Sequence, residues 1–208
     1  MQRQDLQRAY SAKVAEREGR ELAGWKLAAR DEFARLLRQE GRESLIELGS
    51  GTGEDAEFFD SAGLGTTAID LTPANAAATA SKGPRAAAAD LVGLPFASQR
   101  FEAAYSLNCF LHLPKAEWPL ALGEARRVLR PGAPFLLSVY GGRDTEGVYE
   151  EDVYQPQRFF AFFRDEKLKA LLRSLFEIKR FESHSASADG LHAQTVLMRS
   201  PSSQGERR

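Results

Sequence analysis

The sequence contains a single cysteine and three widely spaced histidines, which excludes an internal disulfide and offers no clustered zinc pattern. It has no apolar run of the length needed to cross a bilayer. Its opening, MQRQDLQRAYSAKVAEREG, is charged throughout and lacks the apolar core of a secretory signal. The expectation is a cytoplasmic protein with no membrane partner. Neither sign of charge is in excess: 28 Lys and Arg stand against 29 Asp and Glu, a formal net charge of −1. That balance argues against a partner gripped through phosphates, as in nucleic-acid binding. What is present is ordinary for one soluble domain: 208 residues, enough for one full core and hardly two, with 43% hydrophobic residues to fill it.

The chain alternates between the two periodicities. Residues 5–18 and 22–39 are rich in Ala, Arg, Glu and Leu and read as helices, with a break at Gly19 or Gly24. ESLIELG reads as a buried strand ending at Gly49, and TGEDAEFFDSAG as a helix with acids in its first turn and Gly63 as its stop. TTAID is the next strand, and TPANAAATASKG a helix capped by Thr72 with Pro73 in its first turn. PRAAAAD is taken as a strand: alanine favours helix, but the short length and the repeating pattern favour a strand. FEAAYSLNCFLHL starts as a strand and dissolves near Asn108. PKAEWPLALGEARRVLR is a helix with Pro119 near its first turn, and PFLLSVYGG another buried strand. Residues 143–156 read as loop or lid, PQRFFAFFRDEKLKALLRSL as one or two helices, and FEIKRFES with LHAQTVLMRS as a closing hairpin. The tail after residue 200 reads as disordered. Strands alternating with helices through short connections predict an α/β three-layer sandwich on a mostly parallel sheet.

The glycine turn in ELGSGTGED differs from the dinucleotide fingerprint, because Glu54 stands where the third glycine belongs. A carboxylate at a helix N-terminus helps the helix but opposes a pyrophosphate there. The nucleoside-triphosphate loop is excluded because no Gly-Lys-Ser/Thr follows. A turn remains in which backbone can pass close to a ligand without phosphate, the bland alternative being a tight connection with no ligand. Asp70 lies at the end of the second strand, where a carboxylate can accept both ribose hydroxyls.

ELGSGTGED, AIDLTPAN, ADLVGLPFASQRFEAAYSLNCFLHLP and EARRVLRPGAPFLLSVYGG, in this order, resemble the class I S-adenosylmethionine-dependent methyltransferases of small-molecule type. The resemblance implies a Rossmann-like α/β/α sandwich whose seven-stranded sheet carries a reversed last strand. It implies S-adenosylmethionine as cofactor and S-adenosylhomocysteine as product. By the same resemblance Glu47, Gly49, Ser50, Gly51 and Gly53 form the wall beside the methionine and sugar, and Asp70 binds the ribose. Leu71 and Thr72 flank the adenine, Asp90 with Leu91 approaches its amino group, and Ser106 and Leu107 lie under the sulfonium. His112 closes the pocket. Residues 1–40 are expected to cover the active site, 41–200 to form the methyltransferase domain, and 201–208 to be tail.

Methyl transfer from a sulfonium chiefly requires alignment and exclusion of water, so no catalytic triad is demanded. Cys109 has no His–acid partner in sequence and reads as a packing cysteine. His112 either polarises or deprotonates an acceptor or merely seals the pocket, and Tyr140 points to the same rim. Substrate contacts are expected from Tyr10, Lys13, Tyr140, Tyr149 and Tyr154. The aromatics of residues 149–163, beside Glu150, Glu151 and Asp152, suggest an acidic-rimmed aromatic wall for a flat or weakly cationic molecule. SLNC stands where many amino-methylating nucleic-acid enzymes carry Asn/Asp-Pro-Pro-Tyr, so the acceptor expected is a small molecule, taken by a monomer or homodimer. A cofactor-binding partner or regulatory protein without activity is the alternative; a nicotinamide oxidoreductase is disfavoured by the glycine spacing. No metal is expected.

Overall fold

The computed structural model describes residues 3–19, 22–150, 152–185 and 190–202. In chain order these form α1 (Arg3–Ser11), α2 (Val14–Arg17), α3 (Gly24–Gln39), β1 (Ser44–Leu48), α4 (Glu54–Ser61), β2 (Gly65–Asp70) and α5 (Pro73–Ser81). They continue as β3 (Arg85–Ala88), β4 (Ala103–Leu107), α6 (Trp118–Val128), β5 (Pro134–Gly141), β6 (Thr145–Val148), β7 (Phe159–Phe162), α7 (Asp165–Arg173), β8 (Glu177–Ser185) and β9 (His192–Arg199). Two single-turn 3₁₀ segments, Phe110–His112 and Lys115–Glu117, link β4 to α6.

The main sheet has seven strands in the order β3-β2-β1-β4-β5-β9-β8. The first five are parallel, and β9 enters antiparallel to both β5 and β8. The sequence-based expectation of a mostly parallel sheet with a reversed last strand holds. Alternation along β1 explains the layers: Leu45 packs with Phe33 and Leu37 of α3 and Phe59 of α4. Ile46 and Leu48 point the other way, into a core shared with Leu122 and Val128 of α6 and Leu168 and Leu172 of α7. Each of these fully buried side chains contributes roughly 1.5–3 kcal/mol relative to exposure. With both faces covered, β1 and β5 are buried along nearly their whole length and are mostly apolar. The alanines of β3 form a strand despite their helix propensity because the strand lies at the sheet edge, pairing Arg85 to Ala88 with Thr67 to Asp70.

α4 ends as predicted at Gly63: the Leu64 amide donates to Phe59 O (3.1 Å) and the Gly63 amide to Asp60 O (2.9 Å), a Schellman closure. Thr72 precedes α5, but its side chain makes no capping bond; its amide donates instead to Asp70. The N-terminal helical region breaks between α2 and α3, next to Gly19 and Gly24 as expected, and once more at Ala12 and Lys13.

The largest departure lies between β5 and α7. Residues 143–156 are not all loop, and RFFAFF is not helical: β6 and β7 form an antiparallel hairpin, Thr145 opposite Phe162 and Val148 opposite Phe159. A run of aromatics favours extended backbone, with Ala161 and Phe162 buried and Phe160 set against His112. Glu151 and residues 203–208 of the expected tail lie outside the described residues.

Candidate active site

The sheet changes direction of construction between β1 and β4, and ligands in such sheets bind outside the C-terminal strand ends at that point. A cavity of about 530 Å³ opens there, within the range of small-molecule sites. Its floor is the glycine turn after β1. Gly49, Gly51 and Gly53 all have positive φ, +85°, +56° and +93°. A Cβ on Gly49 would lie 2.2 Å from Cys109 Sγ, and one on Gly53 2.8 Å from Thr79 Cα. At Gly51 it would meet only Arg17 Nη2, at 3.1 Å. Two of these glycines therefore make room for protein, and the middle one faces the cavity.

The Gly51 amide donates to Asp70 Oδ2 (2.9 Å), while Oδ1 accepts from the Thr72 amide (2.8 Å) and Asn75 Nδ2 (3.1 Å). Burial pushes the Asp70 carboxyl up and these donors oppose it. The turn is thus tied to the end of β2 by a carboxylate that also faces the cavity. Glu54 accepts from Thr52 Oγ1 (2.8 Å) and Lys82 Nζ (3.0 Å) at the first turn of α4. An ion-paired carboxylate there occupies the place a phosphate would need.

Deeper on β1, Glu47 is buried and its Oε2 has no hydrogen-bond partner. Burial, with Asp55, Glu54 and Asp70 nearby, pushes its carboxyl well above the ordinary range, and Arg30 opposes this. Neighbouring Asp55, by contrast, is satisfied by Arg30 (3.3 Å) and the Tyr105 hydroxyl (3.2 Å).

The opposite wall comes from α1, α2 and the β6–β7 region. Arg3 pairs with Asp90 and with Glu117 (2.7 Å), and Gln7 donates to Leu71 O (2.8 Å). His112 Nδ1–H donates to Phe159 O (2.9 Å), which leaves Nε2 to accept from the Tyr10 hydroxyl (2.6 Å). Burial, opposed by the Phe159 carbonyl, drops the imidazole to about 3, so it is neutral at physiological pH. Arg158 donates to Tyr10 Oη (3.0 Å) and lies over the Tyr154 ring at 3.6 Å. Asp152 is buried and held by Arg158 through contacts of 2.8 Å; burial opposes its charge, but the guanidinium keeps its carboxyl below the usual range. Of the acids expected at the rim, Glu150 and Asp152 do not line the cavity and Asp152 is neutralised, while Glu151 lies outside the described residues. Arg17 and Arg158 line it.

Of the residues singled out in sequence, Glu47, Gly49, Ser50, Gly51, Asp70, Leu71 and Thr72 line the cavity. Asp90, Leu91, Leu107 and His112 line it as well, with Tyr10, Tyr140 and Tyr154 on the opposite wall. Gly53, Ser106, Lys13 and Tyr149 do not. Ser106 donates to Leu48 O (2.7 Å), Lys13 pairs with Glu16 (2.7 Å), and Tyr149 packs edge-on to Phe160. Cys109 lines the cavity too, but burial pushes its thiol far up and it is no thiolate. Sequence reasoning missed Arg3, Arg17, Asn108 and Arg158. A signal existed for the first two: Arg3, Leu6, Gln7, Tyr10 and Arg17 recur at helical spacing on one face. Asn108 has φ +55°, unusual for a non-glycine residue, and this could not be read in sequence. Among the described residues no group of three or more His, Cys, Asp or Glu is placed to hold a metal. No described helix is long and apolar enough to cross a membrane.

The strand order and the reversed strand give the sheet the Rossmann-like topology found in methyltransferases. The model of the family described as "Methyltransferase domain" matches residues 46–137, from β1 to β5. That stretch of the chain is similar to a methyltransferase domain. No curated protein matches the sequence. Among solved structures, the 1,6-didemethyltoxoflavin-N1-methyltransferase of Burkholderia thailandensis, with bound 1,6-didemethyltoxoflavin and S-adenosylhomocysteine, is 23% identical. It superposes with a TM-score of 0.72 over 95% of this chain and 88% of that one. The N-methyltransferase NodS from Bradyrhizobium japonicum, in complex with S-adenosylhomocysteine, gives 14% identity and a TM-score of 0.67 over 93% and 99%. The [4+2]-cyclase SpnF gives 18% and 0.66 over 89% and 85%. These identities establish a shared fold.

Proposed function

We propose that the cavity binds S-adenosylmethionine and that the protein transfers its methyl group to a small-molecule acceptor. The observation that carries this is the Asp70–Gly51 arrangement, a buried carboxylate at the end of β2 holding the glycine turn open to a cavity. The residues suit that cofactor: Gly51 presents bare backbone, Asp70 offers acceptors for ribose hydroxyls, and Glu47 carries an orphaned buried oxygen. When bound, the cofactor supplies an electrophilic methyl on a positively charged sulfur. Asp90 and Leu91 border the adenine end, and Leu107 the sulfonium end.

The chain's own contribution is alignment and dryness. α1 is tied across the mouth through Arg3, Gln7 and Tyr10, and excludes water. His112 keeps its proton on Nδ1 and uses Nε2 to fix Tyr10, so its role in this arrangement is to position the phenol. Tyr140 and Tyr154 supply aromatic walls for a flat acceptor. The fold likeness to a cyclase favours keeping a second reading, a protein that binds the cofactor without transferring methyl. Incubation with methyl-labelled S-adenosylmethionine and a panel of small aromatic acceptors separates the two. Release of S-adenosylhomocysteine with a labelled acceptor is expected; tight cofactor binding with no turnover across the panel would favour the second reading.

A further inference from the structure

The β6–β7 hairpin and its loop lie outside residues 46–137 and bring a different chemistry to the cavity from the turn after β1. Every described carboxylate that lines the cavity comes from β1, α4, the end of β2, the loop after β3 or the second 3₁₀ segment. β5, the hairpin and its loop contribute Tyr140, Tyr154, Arg158 and Phe160 instead. Lys26, at the start of α3, lines the cavity as well, with Nζ over the Tyr140 ring at 5.8 Å. Among the described residues this side of the cavity is therefore aromatic and cationic, the reverse of the acidic rim expected from sequence.

Arg158 is held from several sides. Asp152, buried and not lining the cavity, accepts from Nε and Nη2 at 2.8 Å each. Nη1 donates to the Tyr10 hydroxyl at 3.0 Å. The guanidinium lies over the rings of Tyr154, Phe160 and Tyr10, at 3.6, 5.1 and 5.4 Å from their centroids. A guanidinium carries one N–H on Nε and two on each terminal nitrogen. Asp152 and Tyr10 engage the one on Nε, one on Nη2 and one on Nη1, so each terminal nitrogen keeps one N–H. Fixed by an ion pair and stacked rings, these donors lose little freedom on meeting an acceptor atom. They call for an oxygen, and a charged oxygen makes the stronger hydrogen bond. An ammonium in the same place would meet Arg158 and Lys26 with no described carboxylate from this side to answer it.

We propose that Arg158 selects the methyl acceptor, and that this acceptor is a flat ring bearing an anionic oxygen, held by the remaining N–H groups of Arg158 while Tyr140 and Tyr154 flank the ring. This rests on the methyl-transfer reading above and gives its acceptor a sign of charge, opposite to the weakly cationic molecule expected from sequence. An anionic acceptor is also attracted to a positive sulfur in the same water-poor cavity, where a cationic one would be repelled.

Calorimetric titration of the full chain, saturated with S-adenosylhomocysteine, tests this with three para-substituted phenols of different charge: 4-hydroxybenzoate, 4-hydroxybenzamide and tyramine. 4-Hydroxybenzoate is expected to bind about tenfold or more tightly than 4-hydroxybenzamide, the range of one charge-assisted hydrogen bond, with tyramine weakest. Arg158→Lys keeps the charge but not the fork, and should lose most of that preference. S-adenosylhomocysteine should bind this variant as it binds wild type, which reports that the variant is folded. Equal affinity for the three phenols, a preference for tyramine, no binding of 4-hydroxybenzoate, or a preference unchanged in Arg158→Lys overturns the proposal and leaves the cofactor assignment standing. Failure of the wild-type protein to bind S-adenosylhomocysteine would remove the methyl-transfer reading itself, and the proposal with it.

Discussion

At the scale of single residues, the turn after β1 separates two uses of glycine that look alike in sequence. Gly49 makes room for Cys109: an added Cβ would sit 2.2 Å from the sulfur. Gly49→Ala should cost about 1–3 kcal/mol or more in urea denaturation, from the collision plus the strain of its positive φ. Cys109→Ser should leave methyl transfer intact, because burial keeps the thiol protonated. Asp70→Ala removes the anchor of Gly51 and the ribose acceptor together, and should weaken S-adenosylhomocysteine about tenfold or more. His112 gives a pH prediction. Its folded-state pKa of about 3 lies below the ordinary value of 6.5, so the unfolded chain takes up the proton first. The stability it contributes is complete above about 6.5 and falls as pH drops toward 3, at up to about 1.4 kcal/mol per pH unit. The stability gap between wild type and His112→Gln should therefore narrow between pH 7.5 and 5. A gap that widens on acidification would contradict the neutral, Tyr10-bound imidazole.

At the scale of elements, the parallel core was legible because its signals are local. An apolar run, a turn and a helix repeat along residues 44–141, and the strand–helix alternation alone dictates the layers. The β6–β7 hairpin was not legible, because Phe159 meets Val148 across a loop rich in acids and tyrosines that reads as a lid. Nor could the sequence tell that Asp152 serves Arg158: a carboxylate beside other acids reads as a rim, and only the fold turns it inward. That pair ties the two ends of the hairpin's loop together, with Asp152 buried and Arg158 reaching Tyr10. Arg158→Met should destabilise by about 3–5 kcal/mol, since it strands a buried carboxylate. Asp152 has a lowered folded pKa, so the pair contributes above the unfolded value and its contribution is lost as pH falls through the folded one. The penalty of Arg158→Met, followed by urea denaturation, should accordingly shrink at pH 3 compared with pH 7.

At the scale of the whole molecule, the site is a meeting of distant parts. The turn of β1, the acid of β2, the loop after β4 and the N-terminal helices all face one cavity. The first three were readable because their motif order resembles a known family. The fourth was readable only as a helical stripe, whose target was invisible until the fold placed it over Gly51 and His112. A ligand that touches all four should stabilise the chain globally. At a hundredfold excess over Kd the gain is about 2.7 kcal/mol, which for a chain of this size raises Tm by roughly 5–10 °C. The most direct test of the central claim is a calorimetric titration of the folded protein with S-adenosylhomocysteine, beside NAD as control. One-site binding of the adenosyl ligand with no binding of NAD is the predicted result. A folded protein that takes up neither S-adenosylhomocysteine nor S-adenosylmethionine would contradict the account.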